Sequence, residues 1–205
     1  MNLFEIISTQ QDPLLGKSLQ AFIDANVSDF KRIVARAGNT LGGVSVSEAF
    51  WLYHLIKAVQ PKQIIESGTF YGYSMHYIHD AASCDILSYD IDQSKCPKLD
   101  KVQYFEHDWT EGKFSEGEGT FVFFDDHIDQ DKRLREAVER NQEHIVFHDN
   151  YLTLKHSHKP IRFCDKLDAT LCYTLPPIYS DPIFTDTSNN AQTYRWLTYI
   201  HRENV

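Results

Sequence analysis

A chain of 205 residues with 42% hydrophobic and 24% charged residues is long enough to bury a core without disulfide or metal staples, and one domain is the default. Its formal net charge of −9 argues against a general binder of phosphate backbones, which depends on Lys and Arg. Four cysteines without a C-x-x-C pair, an N-terminus with no basic flank or leader-length apolar run, and no membrane-length apolar stretch lead us to expect a reduced, cytoplasmic protein.

From Leu14 to about Ala37, apolar residues including Leu19, Phe22, Ile23, Val27, Phe30, Ile33 and Val34 fall mostly at helical spacing and predict one or two amphipathic helices. Residues 37–43 are glycine-rich and read as a loop. Ser47 with Glu48 marks the start of a helix running to Val59, with Ala49, Leu52, Tyr53 and Ile56 on its buried face, and Pro61 ends it. Gln63-Ile64-Ile65 then opens a short buried strand that ends at Glu66. A glycine turn follows, Ser67-Gly68-Thr69-Phe70-Tyr71-Gly72, and leads into a helix over Met75–Ala82.

Strands are expected at Ile86–Asp90, at Val102–Phe105 with its end near Asp108, at Phe121–Phe124 before Asp125-Asp126-His127, and at His144–Phe147 before Asp149-Asn150. Asp129 caps a helix whose Leu134, Ala137 and Val138 share a face. Strands alternating with helices at these lengths imply a mostly parallel central sheet with helices on both faces, an α/β fold. Beyond Tyr151 the pattern weakens among Pro160, Pro176, Pro177 and Pro182, and Thr193–His201 reads as a final strand. His156 and His158 would share a face if extended, which makes them a minor candidate for a transition metal.

Chemistry concentrates where these strands end. Glycines at the C-terminal edge of a parallel sheet let a ligand approach the backbone closely, and that edge is where open α/β folds bind ligands. The spacing here, E-x-G-x-x-x-G-x-S from Glu66 to Ser74, differs from the dinucleotide fingerprint G-x-G-x-x-G. Asp90 stands where a carboxylate can accept from two neighbouring hydroxyls, and Asp108 and Trp109 follow the next strand. Asp125, Asp126, Asp149 and Asn150 form an all-oxygen set suited to Mg²⁺ or another hard divalent ion.

The Glu66–Ser74 run resembles the first motif of class I S-adenosylmethionine-dependent methyltransferases, above all the small-molecule O-methyltransferase branch that includes the catechol enzymes. The resemblance covers about Asn39 to Tyr151. It implies a Rossmann-like fold with an N-terminal helical cap: residues 1–60 as cap and cofactor-covering loop, 61–151 as cofactor-binding core, and 152–205 as the acceptor side.

On that reading, S-adenosylmethionine is bound by Glu66, Gly68, Thr69, Tyr71, Gly72 and Ser74, with Tyr73 a further contact candidate. Asp90 would take the ribose, Asp108 the adenine amino group, and Trp109 would cover the ring. A divalent ion on Asp125, Asp126, Asp149 and Asn150 would activate the hydroxyl of a small phenolic or sugar acceptor, with no role for nucleic acid or membrane and homo-oligomerisation left open. The chain departs from the catechol pattern at the lysine base, since Asp129 occupies that position and Lys132 is displaced. His127 and Asp126 become the catalytic candidates, an imidazole being able to take a proton near neutrality. Sugar O-methyltransferases and the cephalosporin-hydroxylase-like branch share such endings, so a metal-dependent hydroxylase or hydrolase, or a non-catalytic cofactor-binding protein, remains the alternative.

Overall fold

The computed structural model describes residues 3–4, 15–38, 43–151, 170–175, 178–184 and 195–203. Its frame is a sheet of seven strands in the order β3-β2-β1-β4-β5-β7-β6. These are β1 (Gln63–Ser67), β2 (Asp85–Tyr89), β3 (Val102–Phe105), β4 (Gly117–Phe124), β5 (Gln142–Tyr151), β6 (Thr170–Leu175) and β7 (Arg195–Arg202). The first five are parallel, while β7 runs antiparallel between β5 and β6. The chain winds outward from β1 to β3, then returns to place β4 on the other side of β1. The ends of β1 and β4 therefore flank the topological switch point, where a crevice opens.

Strand alternation divides the core between two faces. Ile64, Ile86, Phe121, Phe123, Val146 and Tyr199 pack with helices α1 (Leu15–Ala37), α2 (Val46–Val59) and α3 (Tyr73–Ala81). Ile65, Leu87, Val122, Phe124, Ile145 and Phe147 pack with Trp109 and with Leu134 and Ala137 of α4 (Gln130–Glu139). Residues buried on both sides explain why β1, β2, β4 and β5 read as apolar runs rather than alternating ones.

The first amphipathic segment is one continuous helix, within the expectation of one or two. Three details differ from expectation. The cap of α2 is Ser45, not Ser47: its side chain accepts from the Glu48 N–H while Glu48 accepts from the Ser45 N–H, a reciprocal capping box. β4 begins four residues early because Gly117 and Gly119, both at positive φ, disguise its first half. β6 was not foreseen within the proline-marked stretch. The expected last strand is β7, antiparallel to both neighbours. Pro160, Pro176, Pro177, His156 and His158 lie outside the described residues. Among the described residues, no helix is long and apolar enough to cross a membrane.

Candidate active site

A cavity of about 440 Å³ opens over the C-terminal edge of the sheet. It is lined from β1 by Ser67 and Gly68, from β2 by Tyr89, Asp90 and Ile91, and from β3 by His107 and Asp108. β4 contributes Asp125, Asp126, His127 and Ile128, and Gly43 and Phe70 complete the rim. A volume of this size lies within the range of pockets that enclose small ligands and cofactors.

Gly68 makes the crevice possible. Its φ is +94°, and a Cβ there would lie 2.5 Å from the backbone of Asp125 and Asp126. The turn consequently presses against the end of β4, with the Asp125 N–H donating to the Ser67 carbonyl and the Gly68 N–H to that of Tyr89, both at 2.8 Å. Asp90 secures the other side of the turn. Its Oδ2 accepts from the N–H groups of Thr69 (2.8 Å) and Phe70 (2.7 Å), and Oδ1 accepts from the Asp92 N–H (3.2 Å). Phe70 itself sits at φ +48° and is 53% exposed at the cavity rim. A bulky side chain held in that conformation on a ligand-binding edge is the kind of backbone outlier that points to function.

Several expected cofactor residues support the turn from beneath rather than lining the cavity. Glu66 is fully buried, and Ser74 Oγ donates to its Oε1 at 2.6 Å. Burial pushes its carboxyl up to about 8, and neighbouring Asp125 and Asp90 add to the rise while hydrogen bonds from Ser74 and Thr69 oppose it. Thr69 is buried with its hydroxyl against that of Ser88. Gly72 is at the N-cap of α3, Tyr73 hydrogen-bonds through its ring hydroxyl with Tyr77, and the Tyr71 hydroxyl accepts from Lys95 Nζ at 3.3 Å.

Trp109 is fully buried in the core, stacked on Phe114 with 5.2 Å between ring centroids. It cannot cover a ligand in the cavity from there. Phe70, Tyr89, Ile91, His107, His127 and Ile128 are the apolar and aromatic groups that line it instead. Trp109 follows Asp108 directly in sequence, but it is His107, on the other side of that acid, that lines the cavity.

Asp108 and Asp126 meet at a buried guanidinium that sequence reasoning missed. Arg133, on α4, donates from Nη2 to Asp108 Oδ2 (2.7 Å), from Nε to Asp126 Oδ2 (2.8 Å) and from Nη1 to Glu136 Oε2 (2.7 Å). Asp108 also accepts from the Thr110 N–H and hydroxyl. Burial alone would raise the Asp108 carboxyl, but these Arg133 and Thr110 donors outweigh it and hold the group well below the usual carboxylate range. Asp126 is further occupied by the Ser67 hydroxyl at 2.6 Å and the Ile128 N–H at 3.1 Å. A carboxylate already shared with a cation and these donors has few lone pairs left to offer a metal, one of the roles expected of it.

Asp125 has different company. His148 Nε2 lies 3.1 Å from Asp125 Oδ1, off the hydrogen-bond line, while His148 Nδ1 is 3.0 Å from Glu48 Oε1. The side chains of Glu48 and His148 are 1% exposed and that of Asp125 is 6% exposed. Two acids and an imidazole thus form a buried line from the start of α2 to the cavity wall. His127 lines the cavity at φ +55°, its ring centroid 5.9 Å from that of His148. Asp149 and Asn150 belong to β5, but their side chains lie outside the described residues.

No family model matches the chain, and no curated sequence does. Solved structures do match it. The O-methyltransferase TomG from Streptomyces achromogenes, involved in tomaymycin synthesis and solved with SAM, is 15% identical with a TM-score of 0.57, over 78% of this chain and 81% of that one. An O-methyltransferase from Bacillus cereus solved with SAH is 14% identical with a TM-score of 0.57, over 90% and 96%. The chain has the class I methyltransferase fold. Within that methyltransferase fold, the cavity occupies the switch-point edge common to open α/β sheets, and the expected strand-end acids Asp90, Asp108, Asp125 and Asp126 all border it.

Proposed function

We propose that this protein is an S-adenosylmethionine-dependent O-methyltransferase that moves a methyl group to a hydroxyl of a small molecule or sugar. The convergence of four strand ends on one cavity around Gly68, at the switch point of this fold, carries the reading. When bound, the sulfonium cofactor supplies an electrophilic methyl carbon.

The chain's own groups account for the remaining tasks. Gly68 lets the cofactor reach the turn, Asp90 accepts from the ribose hydroxyls, and Phe70, Ile91 and His107 flank the base. Asp108, fixed by Arg133, orders the adenine edge. Glu66, Thr69, Tyr71, Gly72, Ser74 and Trp109 act by holding the turn and the strand ends in place. His127 takes the acceptor's hydroxyl proton on a ring nitrogen, so the oxygen lone pair can attack the methyl carbon in line. His127 is exposed in the cavity whereas Asp126 is held by Arg133 and Ser67, which favours the histidine as the base.

A divalent ion fits this edge only in part. Asp126 is committed to Arg133, which leaves Asp125 with Asp149 and Asn150 as the oxygen donors that would hold it. Bound there, the ion would lower the pKa of the acceptor hydroxyl. Titration calorimetry should detect binding of S-adenosylmethionine and of its demethylated product, and absence of heat for both would remove the reading. Asp149→Ala should abolish metal-stimulated turnover while sparing cofactor affinity; full activity in excess chelator would remove the ion but leave the transferase.

A further inference from the structure

Away from the cleft, Glu143, His144 and His201 each offer a ligand atom within 4.8 Å of the others. His144 and His201 are direct partners across the antiparallel β5–β7 ladder, and their rings stack with centroids 4.8 Å apart at 22°. Such pairing places both side chains on one face of the sheet.

Glu143 precedes His144 and by strand alternation starts from the opposite face. An irregularity in β4 lets it reach the histidines. Gly117 pairs with Gln142 and Phe121 with His144, so β4 carries extra residues at this point, and the Gly119 N–H donates to Glu143 Oε2. That bond leaves Oε1 facing both rings, 3.3 Å from His201 Nε2 and 3.5 Å from His144 Nε2.

The His201 Nε2–Glu143 Oε1 contact is within hydrogen-bond reach, and both carboxylate–imidazole separations also suit ligand atoms gathered on one ion. A charge-assisted hydrogen bond between imidazolium and carboxylate closes to about 2.7–2.9 Å. Ligand atoms held at about 2.0–2.1 Å from a tetrahedral centre are roughly 3.3–3.4 Å apart, near both observed values. The outer contact agrees. His144 Nδ1 lies 2.9 Å from the Tyr199 hydroxyl, and with Nδ1–H donating to that oxygen the Nε2 lone pair faces the carboxylate. Metal-bound histidines are held through their second nitrogen in this way.

We propose that Glu143 Oε1, His144 Nε2 and His201 Nε2 bind a borderline divalent cation of the zinc class in tetrahedral geometry. The fourth position is open to solvent, since the His201 side chain is 29% exposed and that of Glu143 is 16% exposed. Two nitrogens and one oxygen match zinc and cobalt better than magnesium or calcium. The ion ties β7 to the parallel part of the sheet. His144 is four residues from His148 along β5, about 13 Å at the rise of a strand, so the site is separate from the cleft and independent of the function proposed above.

The full-length chain, stripped with chelator and titrated with Co²⁺, should develop the strong visible bands of a tetrahedral centre and lose them on adding Zn²⁺. An ion held by oxygens at the cleft gives only weak bands. His201→Gln, on a partly exposed ring, and Glu143→Gln should each weaken Zn²⁺ at least about tenfold, and Tyr199→Phe should weaken it about tenfold with the ligands intact. Should Glu143→Gln fail to fold, His201→Gln carries the test alone. Absence of tetrahedral bands in the wild-type chain, or unchanged Zn²⁺ affinity in folded His201→Gln, overturns the site.

Discussion

Glu66 is buried beneath the glycine turn, and Ser74 donates to one of its carboxyl oxygens. With its carboxyl raised to about 8, chiefly by burial, it is protonated in the folded protein at neutral pH but ionised in the unfolded chain. Between these two titrations the native state binds one more proton than the unfolded state, so stability falls as pH rises. The contribution is complete below about pH 4.5, declines towards pH 8, and above that remains as a constant penalty. Glu66→Gln keeps an acceptor for Ser74 and removes the titration. Melting temperatures of variant and wild type should coincide near pH 4.5 and diverge with the variant higher by pH 8, the stability difference reaching a few kcal/mol at most. A parallel pH dependence in the two proteins would contradict a neutral Glu66.

At the scale of elements, the line Glu48–His148–Asp125 joins α2, β5 and the end of β4 at one wall of the cavity. Replacing its middle member by an apolar ring leaves two buried acids without the imidazole nitrogens they face. His148→Phe should therefore lose about 3–5 kcal/mol in denaturant unfolding, and adding Asp125→Asn should restore part of it. A loss below about 1 kcal/mol, or strict additivity of the two changes, would show that the three groups do not act together.

Neither this line nor the Arg133 clamp was legible from sequence, because their members are far apart along the chain. His148 and Glu48 are separated by 100 residues, and Arg133 and Asp108 by 25. What periodicity can reveal is local. The apolar runs of β1, β2, β4 and β5 identified the strands, and the acids at their ends identified the edge. The capping box was readable as Ser45-x-x-Glu48, a spacing that the choice of Ser47 passed over. β6 gave too little signal because it pairs only with β7 at the sheet's margin and lies near prolines that read as breaks.

For the whole molecule, the two ends of one sheet are built differently. At the C-terminal edge of the parallel strands, turns from β1 to β4 converge on the cavity; further back along β5, side chains from β5 and β7 meet across an antiparallel ladder. A ligand filling the cavity contacts the ends of four strands at once and stabilises the native state according to its occupancy. At 100 times its dissociation constant the gain is about 2.7 kcal/mol, which in a domain of this size raises the melting temperature by roughly 5–10 °C. S-adenosylmethionine or its demethylated product should produce such a shift in the wild-type protein and in His201→Gln, which leaves the cavity untouched. Gly68→Ala should lose the shift, because its Cβ would overlap the backbone of Asp125 and Asp126 and force the turn away from β4. If Gly68→Ala folds and keeps the full shift, the cofactor does not occupy the crevice between β1 and β4.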